Sequence, residues 1–167
     1  MANKTNFTPE EWKLLLESPM MTSMAITAAE PSGLWGMLKE SFASASELAK
    51  AASDPGANPL VKAIASDFTT SEGRSTARDD LKAKLAGSKA ADIKTKSIES
   101  LKQVSALLDT KAPGDASAFK GWLRQIGEHV AEAAEEGGFM GFGGVKVSDA
   151  EKATLSDISR ALGVFGG

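Results

Sequence analysis

Cysteine and tyrosine are both missing from this 167-residue chain, and histidine occurs once. The first absence excludes disulfides, thiolate nucleophiles and any cysteine-ligated zinc or iron–sulfur centre. A single histidine excludes multi-histidine metal sites. No run approaches the roughly 18 consecutive apolar residues of a spanning helix. The opening stretch from Met1 to Phe7 has no apolar segment of the secretory kind, so a cytoplasmic location is expected. Net charge is -3 and the pI about 5.3, which gives no general pull towards nucleic acid. Alanine is plentiful instead, with 27 residues, and apolar and charged residues stand at 42% and 25%. That balance predicts a globular chain of closely packed helices.

The punctuation is helical throughout. Thr8-Pro9-Glu10-Glu11 supplies an N-cap, a proline at the first helical position and the glutamate of a capping box. Phe7 and Trp12 fall at the positions of a hydrophobic staple. Ser18-Pro19 repeats the cap-then-proline signal and predicts a short first helix followed at once by a central one from Met20 to about Ala29. An alanine- and serine-rich helix follows over Leu34 to Ala52, its stripe formed by Leu38, Phe42, Ala45 and Ala49. After the turn cluster Asp54 to Pro59, short helices are predicted over Leu60–Phe68 and Glu72–Ala86, the second stopped by Gly87.

The cleanest stripe, Ile93, Ser97, Leu101, Val104 and Leu108, predicts a helix over Ala90–Leu108. Asp115 is then expected to cap a strongly amphipathic helix carrying Phe119, Trp122, Leu123, Ile126 and Val130. Ser148 to Glu151 reads as another capping box, opening a last helix that ends at Gly163. No convincing strand is legible, since Val145-Lys146-Val147 is too short. The expectation is an all-α, compact bundle of seven or eight helices: one domain over residues 8–167, after a flexible lead-in over 1–7.

Ala28 to Gly36 and Ala133 to Gly141 share the pattern Ala-Ala-Glu-x-x-Gly-Φ-Φ-Gly, where Φ is large and apolar. Either the chain carries an internal pseudo-two-fold repeat, or an alanine-rich composition has produced the coincidence. The segment His129 to Gly137, followed by Val147 to Gly163, resembles the tellurite-resistance TerB-like family. The shared features are an apolar helix, an acidic turn before glycine, Ser-x-x-Glu, and a helix ending in Leu-Gly. The resemblance covers about the last forty residues and implies a helical bundle of two similar halves. It also implies divalent-cation binding near the acidic turn, which transfers to Glu135, Glu136 and Glu151, and to Glu30 in the first copy. Glu-Gly stands here where the family has Asp-Gly, and Gly138 to Gly144 looks like an insertion.

The remaining candidates each have two readings. His129, Glu132 and Glu136 share a helical face, which would suit calcium, magnesium or manganese through oxygen ligands, or would simply be a solvated acidic face. The glycine-rich loop Gly137–Gly144 offers Phe139, Met140 and Phe142 as a partner-docking or membrane-touching surface, or folds them into the core. Trp122 and His129 could line a pocket gated by that loop, or pack as core and surface residues. Trp12, Trp35 and the Met20-Met21-x-x-Met24 cluster read as core filling. Asp79-Asp80, among Arg74, Arg78, Lys82 and Lys84, reads as a salt-laced surface. On this reading the chain is a non-enzymatic, stress-response or tellurite-resistance-associated protein. It would act by partner binding, self-association or divalent-metal binding. The alternative is a small-molecule binder or enzyme with a helical pocket.

Overall fold

The computed structural model describes residues 2–29, 46–135 and 149–164. Among them the chain is all-α: a 3-10 turn (Lys4–Asn6) and seven α-helices, with no strand. The helices are α1 (Pro9–Ala29), α2 (described over 46–53), α3 (Pro59–Thr69), α4 (Ser71–Leu85), α5 (Ala90–Lys111), α6 (Pro113–Glu135) and α7 (Asp149–Leu162). α1 is the central element and packs against α3, α4, α5, α6 and α7. One hydrophobic cluster joins them, with Leu15, Met21, Ile26, Leu60, Ile64, Leu101, Leu108, Phe119, Leu123, Ile126, Ile158 and Leu162 fully buried.

The helix boundaries follow the predicted chemistry at both ends of the chain. At the start of α1, Thr8 N–H donates to Glu11 Oε2 at 2.8 Å, and Glu11 N–H donates to Thr8 Oγ1 at 3.2 Å, closing the capping box. The staple is present too, with the Phe7 and Trp12 rings 5.9 Å apart. α7 ends on Gly163 at φ 69°, where Val164 N–H reaches Ser159 O and Gly163 N–H reaches Arg160 O, the two bonds of a Schellman motif.

Four expectations are corrected. The predicted break at Ser18-Pro19 does not occur: α1 runs unbroken through Pro19. Proline cannot supply the N–H that would bond the Leu15 carbonyl, and an interior proline ordinarily costs about 3 kcal/mol. Here the Ser18 hydroxyl donates to Leu15 O at 2.7 Å and fills that place. The serine read as a cap instead repairs the helix interior.

On α2 the buried residues are Glu47, Leu48 and Ala51, while Ala49 of the predicted stripe is exposed. Leu38, Phe42 and Ala45 lie outside the described residues.

Asp115 is not the cap of α6, whose first helical residue is Pro113. Its carboxylate accepts from Ala2 N–H and from Asn58 Nδ2, both at 2.8 Å. Asn58 meanwhile caps α3 through Oδ1, accepting from Leu60 N–H at 3.0 Å. Asp115 therefore clasps the start of the chain and the α2–α3 turn to α6. These hydrogen bonds hold its carboxyl below the usual aspartate range despite the opposing effect of burial. Ala2 and Phe7, on either side of the 3-10 turn, are buried.

Finally, the α4 charges are not purely a surface network. Lys84 reaches Glu17 on α1, a carboxylate with no exposed surface, and also lies 3.2 Å from Asp80.

Candidate functional site

The site residues predicted from the sequence fall in three groups. Glu30, Glu136, Phe139, Met140 and Phe142 lie outside the described residues, as does most of each repeat copy. Glu135 closes α6, but its side chain lies outside the description. Glu151 sits in the first turn of α7 and is buried, with 3% of its surface exposed. Among the described residues, no group of three or more His, Asp or Glu side chains is placed to hold a metal ion. Glu132, which shares the His129 face, is exposed.

Trp122 and His129 are the pair the fold brings towards one place. α6 presents its apolar stripe to the core, and Phe119, Leu123, Ile126 and Val130 are buried along it. Trp122 sits at the edge of that stripe, 7% exposed, with its ring edge-on to Phe119 at 5.4 Å. It forms one wall of a cleft of about 410 Å³ between α2, the α2–α3 turn and α6. Ala51 and Val61 contribute apolar surface, while Glu47, Lys50, Asp54, Asn58 and Gln125 supply polar groups.

His129 stands two turns further along α6 and joins the same wall indirectly. Its Nδ1 lies 2.9 Å from Glu47 Oε1, the atom that also accepts from Lys50 Nζ at 2.9 Å. Glu47 is buried, so one carboxylate oxygen ties the histidine and the lysine to the cleft wall. Glu47 and Lys50 were not legible as site residues. They lie beside Ala49, the stripe residue that turned out exposed, and the His129 that Glu47 pairs with is 82 residues away in the chain.

On this wall residue, the Trp122 indole N–H is buried and has no hydrogen-bond partner among the described residues. Such donors are rare because leaving one unsatisfied costs roughly 1–3 kcal/mol. The cleft thus combines aromatic and aliphatic surface with a small number of polar groups, and the unpartnered N–H belongs to the side chain that forms its wall. This is the composition of ligand-binding clefts in general.

The fold and this cleft define an all-α helical bundle with an amphipathic groove along one helix. Compared with family models, curated proteins and solved structures, the chain matches none. The TerB-like resemblance therefore rests on its motif alone.

Proposed function

We propose that this chain is a binding protein and that the α2–α6 cleft is its ligand site. The observation that carries this reading is the cleft itself, in which the Trp122 ring, Ala51 and Val61 stand beside the Glu47–Lys50 ion pair, Asn58 and Gln125. A small ligand with an apolar body and a carbonyl or carboxylate acceptor would cover Trp122, Val61 and Ala51 and meet the exposed Lys50 ammonium. The experiment is a titration of benzoate and benzamide into ¹⁵N-labelled protein, following the Trp122 indole signal identified with Trp122→Phe. At least one probe is expected to shift that signal saturably, and Trp122→Ala, followed through the backbone signals of Ala51 and Val61, should weaken binding about tenfold by removing the aromatic wall. Saturable shifts confined to other residues, or none at all, would remove the cleft as the site.

The TerB-like resemblance supports a stress-response or tellurite-resistance setting, with a divalent cation held near Glu30, Glu135, Glu136 and Glu151. Calorimetric titration with calcium, magnesium and manganese tests this separately. Heat that disappears when Glu135 and Glu136 are both changed to Gln is expected; no heat in the unaltered protein would end the metal reading.

A further inference from the structure

A second cleft, of about 310 Å³, lies where the first turn of α1 meets the corner between α3 and α4. Its walls include Phe7, Trp12, Asp67 and Glu72. The two rings stand 5.9 Å apart, tilted by 44° to one another, and both line the corner. Trp12 Nε1 donates to Asp67 Oδ2 at 2.7 Å, which fixes the carboxylate beside the indole. The chain places its own ammonium there: Lys4 Nζ lies 3.1 Å from Asp67 Oδ2 and 5.7 Å from the centre of the Trp12 ring.

We propose that this corner is an alkylammonium site, occupied by Lys4 and open to an external amine that displaces it. A carboxylate set against aromatic faces is the arrangement that recognises ammonium groups, because the ring quadrupole and the carboxylate both attract the cation. The resident is loosely held, since the Lys4 side chain is 65% exposed and exposed ion pairs contribute little. Once Lys4 is gone, Asp67 and Glu72 face the cleft with Lys13 on its rim. An incoming amine then meets a net negative corner. Asp67 is also held by the fold rather than by its ligand, because its backbone carbonyl accepts from both the N–H and the hydroxyl of Thr70. The site is therefore formed before a ligand arrives, which lowers the ordering cost of binding.

The probe is n-butylammonium, chemically the lysine side chain cut free, titrated at constant ionic strength against sodium chloride. The readout is the Trp12 indole signal, identified with Trp12→Phe. Lys4→Ala is expected to bind the probe about tenfold more tightly than the unaltered chain, because no tethered ammonium competes. In the Lys4→Ala background, Asp67→Asn should weaken binding about tenfold or more, while its amide oxygen still accepts from the Trp12 N–H. Absence of a saturable Trp12 shift in Lys4→Ala would overturn the proposal. So would equal affinities with and without Lys4. The Lys4 comparison stands alone if Asp67→Asn does not fold, since Lys4 is exposed and outside the core.

Discussion

Gly73→Ala is expected to destabilise the protein by about 2–4 kcal/mol, although helix propensity alone predicts a gain near 1 kcal/mol. Gly73 is buried in the first turn of α4, three residues after its cap Thr70. A β-carbon there would stand 2.1 Å from the Asp67 carbonyl oxygen and 2.8 Å from its carbonyl carbon. Both are backbone atoms, so no side-chain rotation relieves the clash. α3 and α4 meet with only Thr70 between them, and the corner is fastened at this point. Thr70 Oγ1 donates to Asp67 O at 2.6 Å and accepts from Gly73 N–H at 2.9 Å. Opening the corner would also move the Asp67 carboxylate that holds Trp12. Urea unfolding measures the effect, with Gly121→Ala on α6 as the contrast. Among the described residues nothing lies within 4 Å of a β-carbon at Gly121, so that change should be neutral or stabilising by up to ~1 kcal/mol. Equal stability changes at the two positions would show that the corner is not closed as described.

The second large effect is a loss of stability as pH rises from about 5 to 8, carried by Glu17. Burial pushes its carboxyl up to about 7, and the neighbouring Asp80 carboxylate adds to the rise, against the lowering pull of Lys84. The geometry agrees: Lys84 takes Oε1, while Oε2 is buried with no donor among the described residues, a position suited to a carboxylic O–H. Asp80 is held below its usual range, first by its hydrogen bond with Glu17 and then also by Lys84. Lys84 is held above its usual range by the two carboxylates, despite its own desolvation.

The sign follows from proton counts. Between the unfolded value of 4.5 and the folded value of about 7, the folded chain keeps a proton that the unfolded chain releases. Stability therefore falls as pH rises through that window. The full loss is on the order of 3 kcal/mol and is complete above the folded pKa. Asp80 contributes in the opposite sense, but its stabilisation is lost only under acid conditions, as pH falls through its lowered pKa. Lys84 contributes stability that is lost only at alkaline pH. Glu17→Gln should flatten the profile, because its amide can donate towards Asp80 and still accept from Lys84. The variant is expected to match the unaltered chain near pH 5 and to exceed it at pH 8. Parallel thermal-melting profiles for the two proteins would refute this assignment.

Both effects also show where sequence reading stops. Gly73 lies inside a predicted charged helix, and nothing local distinguishes it from Gly121 or Gly114. Its importance comes from the direction in which α3 arrives, because that direction sets the distance to the Asp67 carbonyl. Glu17 sits one residue before a dipeptide that reads as a helix boundary. It became a core residue because Ser18 satisfied the Leu15 carbonyl and α1 continued as the central helix. The candidate site divides in the same way. Trp122 and His129 were visible as residue types on one amphipathic helix. Glu47, which joins His129 and Lys50 to the cleft wall, was hidden because its role depends on a contact across the bundle.

The sequence by itself determined the helical class, most of the helix ends and the inward stripes of α5 and α6. Capping boxes, a C-terminal glycine and three- to four-residue periodicity act within a few residues, and local chemistry suffices to read them. It also excluded thiol chemistry, since no cysteine is present. Tertiary structure alone decided that Pro19 lies inside a helix, that Asp115 is a clasp, that Glu17 is buried beside Asp80, and that the Trp122 indole N–H is buried with no partner among the described residues. Each depends on which groups remain to satisfy a buried polar atom once the helices have packed. That depends on residues far away in the chain, and no local pattern records it.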